Sequence, residues 1–259
     1  MILRGDFSSK VLRSRTNIQI LIPDGVETPS KTVYLLHGLH GNQGTWLDYT
    51  MLPYFAREYN TVFVMPEAGR SFYANHKYSR RYFDYVSDEL PSLCRRNFNI
   101  SAEAKDTAVM GCSMGGFGSL WMAFVRPDLF GFCGTIAPAC LFPKTVLKNL
   151  RENMDSYRKR GPEEEEIFKD LLSIYGDTLE YNPGYDPFEM VRNFPADAVK
   201  PVIYCTCGTE DGLRDDILKY NEFMKTTSFN YTYEEWKGGH DWYFFSDALK
   251  KTLDFWLKG

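Results

Sequence analysis

Thr107-Ala108-Val109-Met110-Gly111-Cys112-Ser113-Met114-Gly115-Gly116 is the stretch on which the reading of the fold turns. An apolar, β-prone run stops at Gly-x-Ser-x-Gly. The small residues Gly115, Gly116, Gly118 and Ser119 then lead into a second apolar run, Leu120 to Val125. Strand, sharp turn and helix in that order are the setting of a nucleophile elbow. A serine at such a turn projects its Oγ beyond the sheet, so the flanking positions Gly111 and Gly115 can carry no side chain. The helix that begins after Ser113 would aim the Met114 amide at negative charge developing beside it. The pentapeptide by itself is a weak signal, equally compatible with a plain glycine-rich turn.

The 259 residues are 44% hydrophobic and 16% aromatic, enough to bury one substantial core in a single domain. A net charge of −4 leaves no electrostatic footprint for nucleic acid or an anionic membrane. No apolar run reaches the ~18 residues of a spanning helix. Asp6 arrives before any signal-peptide core could form, so the expectation is a cytoplasmic protein, or a secreted one already trimmed. Cysteines 94, 112, 133, 140, 205 and 207 lie mostly in apolar runs and read as buried thiols rather than a disulfide framework. His37-x-x-His40 lacks further ligands at metal spacing, so no zinc site is expected.

Outward from the elbow, apolar strands alternate with helical segments. Short β-prone stretches near Gly5–Ser9 and Ile18–Ile22 end at the turn Pro23-Asp24-Gly25. Buried strands are predicted at 32–36 and 61–65, and further strands at 131–139, 201–207 and 231–236. Helices are predicted at 46–59, weakened by Pro53, at 84–97, kinked or started late by Pro91, and at 242–257. Such alternation predicts an α/β protein with a mostly parallel sheet covered on both faces. Residues 141–199 are too long for a plain connection. From Lys144 to Asp170 they carry seven basic and seven acidic residues, including Arg158-Lys159-Arg160 and Glu163–Glu166. They read as a helical, cap-like insertion over the C-terminal edge of the sheet.

A serine hydroxyl needs a base, and the base needs a third group to hold its tautomer. His240, in Gly238-Gly239-His240-Asp241 before the closing helix, is the candidate base. Asp211, in Gly208-Thr209-Glu210-Asp211-Gly212, is the candidate acid, with Glu210 its rival. All three positions follow predicted strand ends, where open α/β sheets place their sites. Their chain order, Ser113, Asp211, His240, is that of α/β-hydrolases. A second oxyanion donor besides Met114 is expected from the glycine loop after residue 36, at the Leu39 amide. His37 reads as a structural pin for that loop rather than a base.

Leu35-Leu36-His37-Gly38-Leu39-His40-Gly41-Asn42, Phe83-Asp84-Tyr85-Val86-Ser87-Asp88-Glu89-Leu90, Gly111–Gly116, Cys207–Asp211 and Gly239-His240-Asp241-Trp242 together resemble the esterase D family. That family holds S-formylglutathione hydrolases, tributyrin esterases and feruloyl or acetyl-xylan esterases. The resemblance spans nearly the whole chain. It implies an α/β-hydrolase fold, a Ser113–His240–Asp211 triad, oxyanion amides at Leu39 and Met114, and no cofactor. The loop His-Gly-Leu-His-Gly-Asn is similar to the tributyrin-esterase branch and lacks the Gly-Leu-Thr-Cys type of continuation of S-formylglutathione hydrolases. The expected activity is therefore carboxylic ester hydrolysis of short acyl groups, acetyl to butyryl, including acetylated or feruloylated sugars. Thioester hydrolysis on S-formylglutathione and an inactive binding module are the alternatives. The expected partner is a small ester, with self-association left open. Phe72, Tyr73, Tyr78, Tyr82, Phe83 and Tyr85 are a second source of pocket walls, although core packing would claim most of them.

Overall fold

Strands form at β1 (Ile2–Ser9), β2 (Ser14–Leu21), β3 (Thr32–Leu36), β4 (Val62–Pro66), β5 (Thr107–Cys112), β6 (Phe132–Ile136), β7 (Val202–Gly208) and β8 (Tyr231–Trp236) in the computed structural model, which describes residues 1–26, 30–153 and 161–258. They join one eight-stranded sheet in the order β1-β2-β4-β3-β5-β6-β7-β8. β1 and β2 are an antiparallel hairpin laid antiparallel against β4. Every pairing from β4 through β3, β5, β6 and β7 to β8 is parallel. Residues of β3, β4, β5 and β6 are buried throughout, as continuous apolar runs in a doubly covered parallel sheet must be. The edge strand β1 instead alternates toward solvent and carries Arg4 and Asp6, which blunt it against stray pairing.

The expected hairpin stretches near Gly5–Ser9 and Ile18–Ile22 are both longer than predicted, because unbroken pairing runs from Ile2↔Leu21 to Ser9↔Ser14. The helix expected over 46–59 is two helices, α1 (Thr45–Tyr49) and α2 (Leu52–Tyr59). Pro53 sits in the first turn of α2, where its missing N–H costs nothing. The segment 84–97 begins as α3 (Tyr82–Asp84), passes through a π-helical turn at Tyr85–Glu89 and resumes as α4 (Leu90–Asn97). The Leu90 N–H reaches back to the Tyr85 carbonyl, and the widened turn accommodates the Pro91 ring without a break.

The helix α5 (Met114–Val125), which follows Ser113, lies on one face of the sheet and the closing helix α10 (Trp242–Lys258) on the other. Adjacent residues of β6 show it: Thr135 Oγ1 donates to the Gly116 carbonyl of α5 at 2.9 Å. Gly134, pointing the other way, would meet Thr252 of α10 at 2.5 Å if it carried a Cβ. α9 (Arg214–Met224) packs against β7.

Residues 141–199 contain α6 (Pro143–Glu152), α7 (Pro162–Tyr175), a 3₁₀ turn at Pro183–Tyr185 and α8 (Pro187–Arg192). Arg158, Lys159 and Arg160 lie outside the described residues. Glu163, Glu164 and Glu165 occupy the first turn of α7, where the helix dipole favours negative charge. α7 buries Phe168, Leu171, Ile174 and Tyr175, and α6 buries Leu147 and Leu150. Each is an amphipathic helix with one apolar stripe turned inward.

Candidate active site

β3 is flanked by β4 and β5, so the chain changes direction across the sheet there, and it is beyond the carboxyl ends of such strands that open α/β sheets form their crevice. Ser113 stands there with φ 56° and ψ −118°, a conformation that costs a non-glycine residue free energy and is typical of functional turns. The glycines permit it. A Cβ on Gly115 would lie 2.4 Å from the Leu36 carbonyl oxygen, and one on Gly111 2.5 Å from the Gly115 carbonyl oxygen. The Ser113 N–H is tied to the Ile136 carbonyl at 2.9 Å, and its own carbonyl accepts from Phe117 and Ala139 at 3.1 Å each.

Asp211 and His240 reach each other because the ladder of β7 and β8 continues past both strands. Thr209 N–H donates to the Trp236 carbonyl and Glu210 N–H to the Gly238 carbonyl, each at 2.9 Å. Gly208 allows this approach: a Cβ there would lie 2.2 Å from the Gly238 oxygen. Beyond it, His240 Nδ1–H donates to Asp211 Oδ2 at 2.7 Å, and Asp211 Oδ1 accepts the Leu213 N–H at 2.8 Å. The Asp211 side chain is wholly buried while the imidazole is about one-third exposed, at 35%. Phe245 presses edge-on to the imidazole at 5.0 Å. Glu210, the rival acid, points to solvent. A buried carboxylate that accepts two N–H groups is held in one orientation, which is what an imidazole partner requires.

The loop after β3 is braced from three sides. Trp46 Nε1–H donates to the Leu36 carbonyl at 2.9 Å and Tyr73 Oη–H to the His37 carbonyl at 3.0 Å. His37 is buried. Its Nδ1–H donates to the Gly38 carbonyl at 2.8 Å and its Nε2 accepts the Ala68 N–H at 3.1 Å. Those contacts assign the neutral tautomer, and burial pushes its pKa below the ordinary histidine range. His37 thus has no nitrogen left for proton transfer and pins the loop. Gly38 lies against Ser113, since a Cβ on it would meet the serine Cβ at 3.6 Å. The Leu39 and Met114 amides flank this contact, and among the described residues neither is engaged by an acceptor.

A narrow apolar cleft, with a free volume of about 20 Å³, opens beside the elbow. Phe117 and Trp121, four and eight residues past Ser113 on α5, form its near wall, with Cys140 next to the Ala139 that bonds the serine carbonyl. Val146, Leu147, Leu171 and Ile174 of α6 and α7 close it from above, while Phe72 and Ala74 close the side. Phe72, Tyr73, Ala137 and Cys140 all have positive φ (43–57°), so strained backbone concentrates around the elbow and this cleft. Of the wall candidates in 72–85, Phe72 alone lines this cleft. Tyr73 is buried under α5 against Gly118 and Tyr78 is exposed. The i+4, i+8 spacing of Phe117 and Trp121 from Ser113 is a signal in the sequence that would have found the near wall. Cys140 carries no such signal.

The family described as "Putative esterase" matches residues 9–255. The chain belongs to that family. An acetyl esterase of Caldicellulosiruptor saccharolyticus is 27% identical over 275 residues, spanning 99% of this chain and 98% of its own. Among solved structures, FphF of Staphylococcus aureus, a fluorophosphonate-binding serine hydrolase, superposes with a TM-score of 0.83 at 24% identity, covering 99% of this chain and 98% of its own. An S-formylglutathione hydrolase of Agrobacterium tumefaciens follows at 0.79 and 21%, covering 100% and 95%. The expected α/β-hydrolase fold and the resemblance to the esterase D family are borne out, and this esterase is a carboxylic ester hydrolase. Its cysteines are all free thiols, five of them buried and Cys140 partly so. Burial pushes the Cys112 and Cys140 thiols, nearest the elbow, up to about 12, so both stay protonated and inert at neutral pH. No described helix is long and apolar enough to cross a membrane.

Proposed function

We propose that the esterase hydrolyses short acyl esters, acetyl to butyryl, through an acyl-enzyme on Ser113. His240 Nε2 takes the proton of Ser113 Oγ as the oxygen attacks the ester carbonyl. The Leu39 and Met114 amides hold the oxyanion, and the same imidazole returns the proton to the departing alcohol. Water, activated by His240 in turn, releases the acid and restores the serine. Asp211 keeps the imidazole in the required tautomer and stabilises its cation. The cleft beside Phe117 receives the acyl group, and residues 141–199 act as a cap over it.

The observation that carries this reading is the 2.7 Å contact between His240 Nδ1 and the buried Asp211, beyond the same edge of the sheet that ends in the strained Ser113. Nδ1 being committed, Nε2 is the nitrogen open to a serine proton. Ser113→Ala is expected to lower kcat by about 10⁴–10⁶ with the fold intact, and to abolish labelling by a fluorophosphonate. Activity within tenfold of wild type would overturn the assignment. Rates on p-nitrophenyl acetate, butyrate and octanoate, methyl ferulate and S-formylglutathione then test the substrate class, with acetate and butyrate expected to lead.

A further inference from the structure

A second, open cleft of about 520 Å³ lies behind the acyl cleft, and the two share Ile174, Tyr175 and Tyr185 in their linings. These residues are therefore a partition with a different environment on each side. Toward the elbow it meets apolar Trp121 and Leu171; toward solvent it meets Asn75, Lys77, Glu180 and Asn182. The partition is thin and firmly braced. The Tyr185 ring sits between Trp121, with centroids 4.5 Å apart, and Tyr175, at 5.6 Å. Tyr185 Oη–H donates to the Asn75 carbonyl at 3.3 Å. The Lys77 N–H donates to the Ser173 carbonyl at 2.9 Å, sealing the end of α7 to the segment that carries Asn75.

We infer that Ile174, Tyr175 and Tyr185 are the end wall that sets the longest acyl chain the esterase accepts. This rests on the reading of Ser113 and its adjoining cleft given above. A closed apolar wall excludes a chain sterically, whereas an open pocket discriminates only weakly per methylene. Removing the Tyr185 ring would join the acyl cleft to the outer one and let a longer chain pass through. Because the outer side is polar, the gain would come from relief of a clash and not from new apolar burial.

The test is the ratio of kcat/KM for p-nitrophenyl octanoate to that for acetate, per active site titrated with a fluorophosphonate. A ratio taken within one protein is insensitive to the fraction folded. Tyr185→Ala is expected to raise it tenfold or more, and Ile174→Ala, which opens the same wall with less loss of contact, severalfold. Glu180→Ala, at the exposed outer lip, should leave it unchanged. An unchanged ratio in both wall variants, with acetate still turned over, would overturn the inference. It would be overturned as well by an equal rise in Glu180→Ala. A wild type that neither takes up the probe nor hydrolyses acetate would instead sink the underlying serine-esterase reading.

Discussion

The sheet edge that carries Ser113, Asp211 and His240 and the helical segment over residues 141–199 are built on different principles. At the sheet edge, backbone packs on backbone. Gly111, Gly115 and Gly208 stand where a single Cβ would fall within 2.2–2.5 Å of a carbonyl oxygen, and every residue of α5 from Met114 to Phe124 is buried. In the helical segment, side chains do the holding. α7 buries one stripe, and its outer face is tied down by Arg70, whose Nε donates to Asp170 at 2.9 Å and whose Nη2 donates to Glu163 at 3.3 Å. The first kind of contact fixes a position to a fraction of an ångström and tolerates no substitution. The second tolerates many and can be reshaped. The chemistry is proposed to sit on the first and the choice of acyl group on the second.

The sharpest way to break this division is at the acid. Asp211→Asn is expected to lower kcat by about 10⁴ at neutral pH, since the imidazole would be held in the wrong tautomer. Glu210→Gln should stay within a few-fold of wild type, its side chain being in solvent. Steady-state rates on p-nitrophenyl acetate decide, and a reversed order would mean that the buried carboxylate is not the orienting one.

Next in size is a single methyl group at the elbow. Gly115→Ala is expected to destabilise by about 2–4 kcal/mol, because the Leu36 and His37 carbonyls must be pushed aside. Gly212→Ala, where a Cβ meets nothing within 4 Å, should lie within about 0.5 kcal/mol of wild type. Urea midpoints measure both, and equal shifts would show that the glycines of the site are not specially placed.

A smaller effect is expected in the helical segment. Arg70→Ala leaves Asp170, whose side chain is 15% exposed, without its partner. Burial already pushes the Asp170 carboxyl above its ordinary range despite the guanidinium. The partial exposure of the pair screens the interaction, so the expected cost is about 1–2 kcal/mol. Asp170→Asn in the Arg70→Ala background should recover part of it, as a double-mutant cycle would report. Faster amide exchange should appear in α7 and not in β5.

The smallest effect concerns pH. The pKa of folded His37 lies below its unfolded value of about 6.5, so the unfolded chain binds the proton first as pH falls. The contribution of neutral His37 is fully present above about pH 6.5 and is lost on acidification toward the lowered folded value. Thermal midpoints should therefore fall less steeply between pH 7.5 and 5 in His37→Gln than in wild type. Parallel slopes would mean that His37 is not buried neutral.

Much of this molecule was legible before any coordinates. The continuous apolar runs at 32–36 and 107–112 name buried parallel strands, because only a strand covered on both faces needs them. Gly-x-Ser-x-Gly names the elbow, because at Gly111 and Gly115 a Cβ would strike neighbouring backbone. The order of Ser113, Asp211 and His240 follows from their places after successive strands. What local reading could not supply were properties of pairs distant in the chain. Choosing Asp211 over Glu210 on physical grounds required knowing which carboxylate faces inward, and that depends on the β7–β8 ladder running on past Gly208 to Gly238. The apolar cleft beside the elbow joins Phe72, Phe117, Cys140 and Tyr185, and no periodicity along the chain links them. The sequence by itself determined the strands, the elbow and the candidate chemistry, because those demands act on neighbouring residues. The tertiary structure alone decided the shape of the pocket and where it ends, since a cavity is bounded by segments that only the fold brings together.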